Sequence, residues 1–134
     1  MIALFFSVIV AVVAVDLITK FTIDGILNPG ISWGLGARLP WLWIVVVVFS
    51  LVLVIGLVWW FFHNQKRTML GTVGLGLFIG GTLGNAIDRL VSGGAVHDFI
   101  DFGIFRNNIA DIALCVGAVM ICLALVVRET HAAR

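Results

Sequence analysis

Between Gly80 and Asp111 an otherwise oily chain turns polar. Four aspartates, Asp88, Asp98, Asp101 and Asp111, share this stretch with two arginines and three asparagines. Charge at bilayer depth is costly, so ionisable groups at the ends of spanning helices are functional candidates by default. Asn85, Asp88 and Arg89 fall at i, i+3 and i+4, within one helical turn's reach, and Asn108 and Asp111 repeat the i, i+3 spacing. Asp111 would lie in the first turn of a helix, where the macrodipole favours an ionised carboxylate. Asp98 comes from the loop between. Two carboxylates brought together from different elements can share a proton. One then serves as acid and the other as base, and together they activate water against a carbonyl. The same acids would also serve as ion-paired helix ends and a solvated loop, and spacing alone leaves both readings open.

Other chemistries have less to stand on. His63, His97 and His131 are scattered, and neither an HExxH nor a paired-cysteine spacing occurs, so no metal site is expected. No serine sits in a nucleophile elbow, and no glycine-rich phosphate loop precedes a Lys-Ser/Thr pair. No organic cofactor is implied.

The composition says what must position these groups. Hydrophobic residues make up 62% of the 134 and charged ones 11%, with a mean hydropathy of +1.20. A soluble domain averages about 45–50% apolar and about 25% charged. The chain therefore reads as one integral membrane domain over residues 1–134. The net charge is +1 and no basic patch exists, so nucleic acid is not an expected partner. Cys115 and Cys122 are seven residues apart in one apolar run. On a helix that is about 10 Å, too far for a disulfide, and both read as small packing residues.

Four spanning helices are expected, at about 2–19, 40–62, 68–91 and 108–127. The first begins without a basic leader and carries Asp16 and Lys20 at i, i+4 at its polar end, which fits a spanning helix better than a cleaved signal peptide. Asn28-Pro29-Gly30 is a turn signal in a first loop, Phe21 to Leu39, too short for a folded domain. Pro40 suits a helix start. Trp41 and Trp43 mark one interface and Trp59 and Trp60 the other, about 28 Å apart along a helix with no ionisable residue between, so the second helix reads as mainly scaffold. His63 to Arg67 is a tight polar turn. In the third helix Gly76, Gly80, Gly84 and Asp88 recur every fourth residue, a small-residue stripe of the kind that lets helices approach closely in lipid. Val96 to Phe102 alternates weakly between apolar and polar and predicts a short extended segment.

Both termini then lie on one side. Lys66, Arg67, Arg128 and Arg134 fall on that side, and Lys20, Arg38, Arg89 and Arg106 on the other, so the charge count is a tie. Discounting Lys20 and Arg89, which sit beside acids within helix ends, puts the termini in the cytoplasm. All the acids except Glu129 then gather at the outer face.

At this point the residues carry a family likeness. Asp16-Leu-Ile-Thr-Lys20, Asn28-Pro-Gly30-Ile-Ser-Trp33, Gly80-Gly-Thr-Leu-Gly-Asn85-Ala-Ile-Asp88-Arg89, Asp98-Phe99 and Asn108-Ile-Ala-Asp111 occur in that order over almost the whole length. They resemble the motifs D-x-x-T-K, N-x-G-x-[AS]-[FW], G-G-x-x-G-N-x-x-D-R, D-F and N-x-A-D of signal peptidase II, the lipoprotein signal peptidase family of membrane aspartic endopeptidases. The resemblance implies Asp98 and Asp111 as the catalytic pair. It implies Asn28, Gly30, Asn85, Arg89 and Asn108 as cleft residues that bind substrate. Asp88 would orient Arg89 and neighbouring backbone, and Asp16 and Lys20 would brace the first helix. It implies cleavage of diacylglyceryl-modified prolipoproteins just before the lipidated cysteine, by a monomer in the bacterial inner membrane, with its site near the outer face and membrane lipid around it.

Three positions depart from the family pattern. The first loop, Phe21 to Leu27, is shorter than the usual segment, which forms a β-cradle over the site. His97 stands where an apolar residue precedes the catalytic aspartate, a place from which an imidazole could alter that acid's pKa if it points to it and would leave it alone if it points to water. Asn107 replaces the usual Phe before Asn108. These departures mark a short or divergent member. Two other readings compete: a small four-helix proton- or cation-coupled transporter using Asp16, and a non-catalytic relative serving as a binding module. A transporter should hold its acid near mid-membrane, whereas here the acids lie at helix ends.

Overall fold

The structure, a computed structural model, describes residues 1–29, 39, 41–64 and 67–132, with side chains as far as 127. Among the described residues four long helices dominate: α1 (Ile2–Thr22), α2 (Leu42–His63), α3 (Met69–Val91) and α4 (Ile109–Ala132). All four are long and apolar enough to cross a membrane. Four short strands among the described residues lie at one end of the bundle. β1 (Ile26–Asn28) pairs antiparallel with β2 (Val96–Asp98), in the register Ile26–Asp98, Leu27–His97, Asn28–Val96. β3 (Ile100–Asp101) pairs with β4 (Arg106–Asn107). The expected extended segment from Val96 is thus split between two small sheets. Gly30 and Pro40, expected as a turn and a helix start, lie outside the described residues.

The bundle is built around α3. Of its membrane window 61% is buried, against 11%, 6% and 17% for α1, α2 and α4. Glycine makes this possible on two faces. On the first, a Cβ at Gly76 would stand 2.9 Å from Val8 Cγ1, one at Gly80 2.8 Å from Val12 Cβ, and one at Gly84 2.5 Å from Asp16 Oδ2. This is the expected four-residue stripe, and α1 lies along it. On the second face, a Cβ at Gly81 would collide with the Ala110 carbonyl oxygen, and one at Gly117 of α4 would stand 2.6 Å from the Gly74 carbonyl. Close backbone approach here substitutes for the hydrophobic drive that is absent between helices in lipid. Phe5 stacks on Phe61 with ring centroids 4.1 Å apart and, with Ile9, Leu75 and Ile79, forms the apolar core.

The helix ends are tied off locally. Thr68 caps α3 by accepting from the Gly71 N–H, 3.0 Å. Arg67 donates to the Phe61 and Phe62 carbonyls at the end of α2, where orphan carbonyls need donors. Past α3, Gly93 and Gly94 take φ of +69° and +113°, a reversal that suits residues without a Cβ. Trp43 packs directly against Gly94.

One expectation about packing is corrected. Cys115 and Cys122 are free thiols, as their spacing requires, but both are exposed on α4 rather than packed inside. Residues seven apart share a helix face, and the face that meets α3 is the one carrying Ala110, Ala113 and Gly117.

Candidate active site

A cavity of about 220 Å³ opens between α2, α3 and α4 at the sheet end of the bundle. Asp98 from β2 and Asp111 from the first turn of α4 both line it, together with Asn28, Asn85, Arg89 and Arg106. A second, more open groove, about 440 Å³, continues from it over the sheets and shares Asn28, Asp98 and Arg106.

Asp98 is 3% exposed, and both its oxygens accept hydrogen bonds. Asn28 Nδ2 donates to Oδ2 at 3.0 Å and Asn108 Nδ2 to Oδ1 at 2.7 Å. The second amide cannot be turned round. Asn108 is the residue before α4, and its Oδ1 accepts the Asp111 N–H at 3.0 Å, an N-cap that leaves only the NH2 end for Asp98. In the β1–β2 ladder Asp98 stands opposite Ile26 and Asn28 opposite Val96, so Asn28 reaches Asp98 diagonally, as a same-face neighbour two residues along. Asp111 Oδ1 accepts from Asn85 Nδ2 at 2.7 Å.

Behind Asn85 lies a buried cluster. Lys20 Nζ donates to Asn85 Oδ1 at 2.9 Å and lies 2.8 Å from Asp16 Oδ2 and 3.4 Å from Asp88 Oδ2. Asp16 Oδ2 is held by charge rather than by an aligned hydrogen bond, whereas its Oδ1 accepts the Ala110 N–H at 2.8 Å. That N–H belongs to the first turn of α4, where a carboxylate satisfies an orphan donor and meets the positive end of the helix dipole. Asp16 therefore braces more than α1: it pins the start of the helix that carries Asp111. Asp88 takes the His97 backbone N–H at 2.7 Å, the His97 ring Nδ1 at 3.0 Å and Ser92 Oγ at 3.0 Å. Arg89 donates to the Asn85 carbonyl.

One open point is decided here and one expectation changes. His97 is adjacent to Asp98 in sequence, yet its ring is engaged with Asp88. Successive strand side chains point to opposite faces, so the two neighbours cannot share a pocket. And α2 is more than scaffold: Val46, Phe49, Ser50 and Leu53 wall the cavity. The α3 wall, Phe78, Thr82, Asn85 and Arg89, has the spacing of one helical face. That pattern was present in the sequence, beside the more conspicuous glycine stripe. Asp101 lines only the outer groove and stands half-exposed, paired with Arg106 at 2.9 Å across the β3–β4 ladder. The Gly103 N–H and then the Arg106 charge hold its carboxyl below the ordinary range. Among the described residues no group of His, Cys, Asp and Glu could hold a metal ion.

A sequence model of signal peptidase (SPase) II matches residues 7–127. The chain belongs to the signal peptidase II family. It is 41% identical over 102 residues to a lipoprotein signal peptidase of Rhodopseudomonas palustris (strain TIE-1), a match covering 69% of this chain and 60% of that protein. It is 35% identical over 104 residues to a lipoprotein signal peptidase of Staphylococcus aureus (strain bovine RF122 / ET3-1), covering 73% and 61%. The chain spans about three-fifths of the length of these curated relatives. In three dimensions it is similar to a bacterial membrane enzyme solved by the in meso method at 2.3 Å resolution, with a TM-score of 0.86 and 26% identity over 98% of this chain and 92% of that one. A second such structure, at 1.9 Å, gives a TM-score of 0.77 at 28% identity. Signal peptidase II membership and four apolar helices make this a multi-pass bacterial membrane protein, all-α apart from its two small sheets.

Proposed function

We propose that this chain is an aspartic endopeptidase that removes the signal peptide from diacylglyceryl-modified prolipoproteins, cutting before the lipidated cysteine. The observation that carries the reading is the meeting of Asp98 and Asp111, 13 residues apart in sequence and on different elements, on the wall of one cavity. The names of the relatives supply the substrate class. The cavity suits a lipid-attached chain: its α2 side is apolar except for Ser50, and its polar end lies at the bundle end, where the sheets begin.

In the proposed reaction a water lies between the two carboxyl groups, one protonated and one ionised. The ionised group takes a proton as the water oxygen attacks the scissile carbonyl, and the other gives its proton to the carbonyl oxygen. The tetrahedral adduct then breaks its C–N bond: the leaving nitrogen takes up the proton first removed from water, and one hydroxyl of the adduct returns its proton to the carboxylate that gave it, which restores the pair. The products are the signal peptide's new carboxylic acid, which ionises in water, and the amine of the lipidated cysteine. Arg89, at the cavity wall, supplies positive charge near the developing oxyanion. Asn28 and Asn85 line the cavity and hold Asp98 and Asp111 respectively, so they can touch substrate while fixing the pair. Asn108 is wholly buried, which suits it to holding Asp98 rather than touching substrate. The motif likeness adds Gly30 to the substrate-binding set, at a position outside the described residues. The chain works as a monomer in the bacterial inner membrane, with both termini cytoplasmic and the cavity toward the outer face.

Turnover of a lipidated prolipoprotein, read by gel shift, tests this with Asp98→Asn, Asp111→Asn and Asp101→Asn in matched detergent. Asn keeps the shape but cannot exchange the proton. Cleavage should vanish in the first two variants, be no worse in the double variant than in either single, and fall only modestly in Asp101→Asn. Substantial cleavage by either of the first two, with loss in Asp101→Asn, would remove the assignment. If the wild type leaves the substrate intact, the non-catalytic reading takes its place.

A further inference from the structure

Lys20 is the most deeply buried cation on the described part of the chain, with its side chain 2% exposed. It does not line the cavity, and neither do Asp16 and Asp88. Yet its ammonium is one amide away from Asp111. Lys20 Nζ donates to Asn85 Oδ1 at 2.9 Å, and Asn85 Nδ2 donates to Asp111 Oδ1 at 2.7 Å.

An asparagine amide has one accepting end and one donating end of nearly the same shape, and either can face a carboxylic acid. Facing NH2 toward Asp111 supports the ionised form, and facing the carbonyl oxygen toward it supports the protonated form. The side chain alone does not choose. An ammonium does, because it has three donors and no lone pair, so only Oδ1 can face it. Asp16 and Asp88 hold that ammonium in place from α1 and α3, with the 2.8 and 3.4 Å contacts. We propose that Lys20 is a positioning residue that locks the Asn85 amide with its NH2 toward Asp111, and so sets the protonation of the pair from outside the cavity. The inference deepens the peptidase reading and rests on it for its catalytic consequence, but the lock itself can be measured without turnover. The charged groups around this relay are Asp16 on α1, Asp88 and Arg89 on α3, Asp98 on β2 and Asp111 on α4, with His97 beyond Asp88.

The test is an infrared pH titration of purified protein in detergent. The Asp111 carboxyl band is assigned by its loss in Asp111→Asn. In Lys20→Met the amide is released and the ammonium removed, so the midpoint should move to higher pH. In Asn85→Leu the midpoint should also move up, and adding Lys20→Met to Asn85→Leu should move it by less than half as much as in the wild-type background. Lys20→Gln keeps a neutral N–H donor and should restore most of the wild-type midpoint. If Lys20→Met does not fold, Lys20→Met combined with Asp16→Asn, which removes the carboxylate left unpaired, takes its place, with the same upward move expected and an unmoved midpoint overturning the lock. In the cleavage assay the same lock predicts at least a tenfold loss of kcat in Lys20→Met with KM within about twofold, and an acidic limb of the kcat profile moved to higher pH. An equal midpoint shift from Lys20→Met in both backgrounds, or an unmoved midpoint in both Lys20→Met and Lys20→Gln, overturns the proposal. If the midpoints behave as expected but the wild type does not cleave, the lock stands and the peptidase reading falls.

Discussion

Asn108 performs two tasks with two atoms, and they can be separated. Its Oδ1 caps α4 through the Asp111 N–H, and its Nδ2 holds Asp98 Oδ1 at 2.7 Å. Asn108→Ala removes both. A lost N-cap costs about 1 kcal/mol. Losing the amide leaves an oxygen of the buried Asp98 carboxyl without its donor, which costs about 2 kcal/mol. The alanine variant should therefore be destabilised by about 3 kcal/mol. Serine is as good a cap as asparagine but too short to reach Asp98 at the same time, so Asn108→Ser should lose only about 2 kcal/mol. The difference of about 1 kcal/mol between them is roughly fivefold in the unfolding equilibrium. It is measurable by reversible unfolding in mixed micelles, followed through the five tryptophans. Catalysis should not separate the two variants. Both free the Asp98 carboxyl to swing, and misplacement on the scale of an ångström costs roughly 100-fold. Equal destabilisation of the two variants would refute the cap, and near wild-type turnover by Asn108→Ser would refute the assigned hold on Asp98.

Four further outcomes follow from the geometry. Arg89→Lys should lose most turnover, because a point charge does not replace a planar fork, and near wild-type cleavage would remove Arg89 from the site. Gly81→Ala should cost about 1–3 kcal/mol or more, since its methyl would meet the Ala110 carbonyl, whereas Gly56→Ala, with nothing within 4 Å, should be neutral or slightly stabilising in the same unfolding assay. The Asp101 carboxyl lies below its ordinary 3.8, so its contribution to the β3–β4 hairpin is present above that pH and is lost as the pH falls through the lowered value; the Gly103 amide resonance should report this below about pH 3.8, and an earlier transition would contradict it. In a background lacking Cys115 and Cys122, a cysteine at position 94 should label from the outer face and one at position 65 should not, the reverse pattern inverting the topology.

The helices were legible because lipid imposes a simple rule. Backbone groups must be satisfied within a segment, so a long apolar run becomes a helix of spanning length whatever surrounds it. The stripe of Gly76, Gly80 and Gly84 likewise announced a close helix contact, because small residues at that spacing serve little else in a membrane. The motif likeness marked Asp98 and Asp111, although neither composition nor spacing could distinguish them from ion-paired helix ends. What the chain could not show in one dimension was which atoms face each other. Alternation along β2 sends His97 to Asp88 and Asp98 to the cavity, so adjacency in sequence did not decide which acid the imidazole meets. The partners that define the pair come from far along the chain: Asn28 is 70 residues from Asp98, and Lys20 is 65 from Asn85. Hydrogen-bond direction at an amide depends on what stands at its other end. Only the packing of α1 and α4 onto the two glycine faces of α3 puts an ammonium behind Asn85, a carboxylate at the start of α4 and a cavity between the two acids.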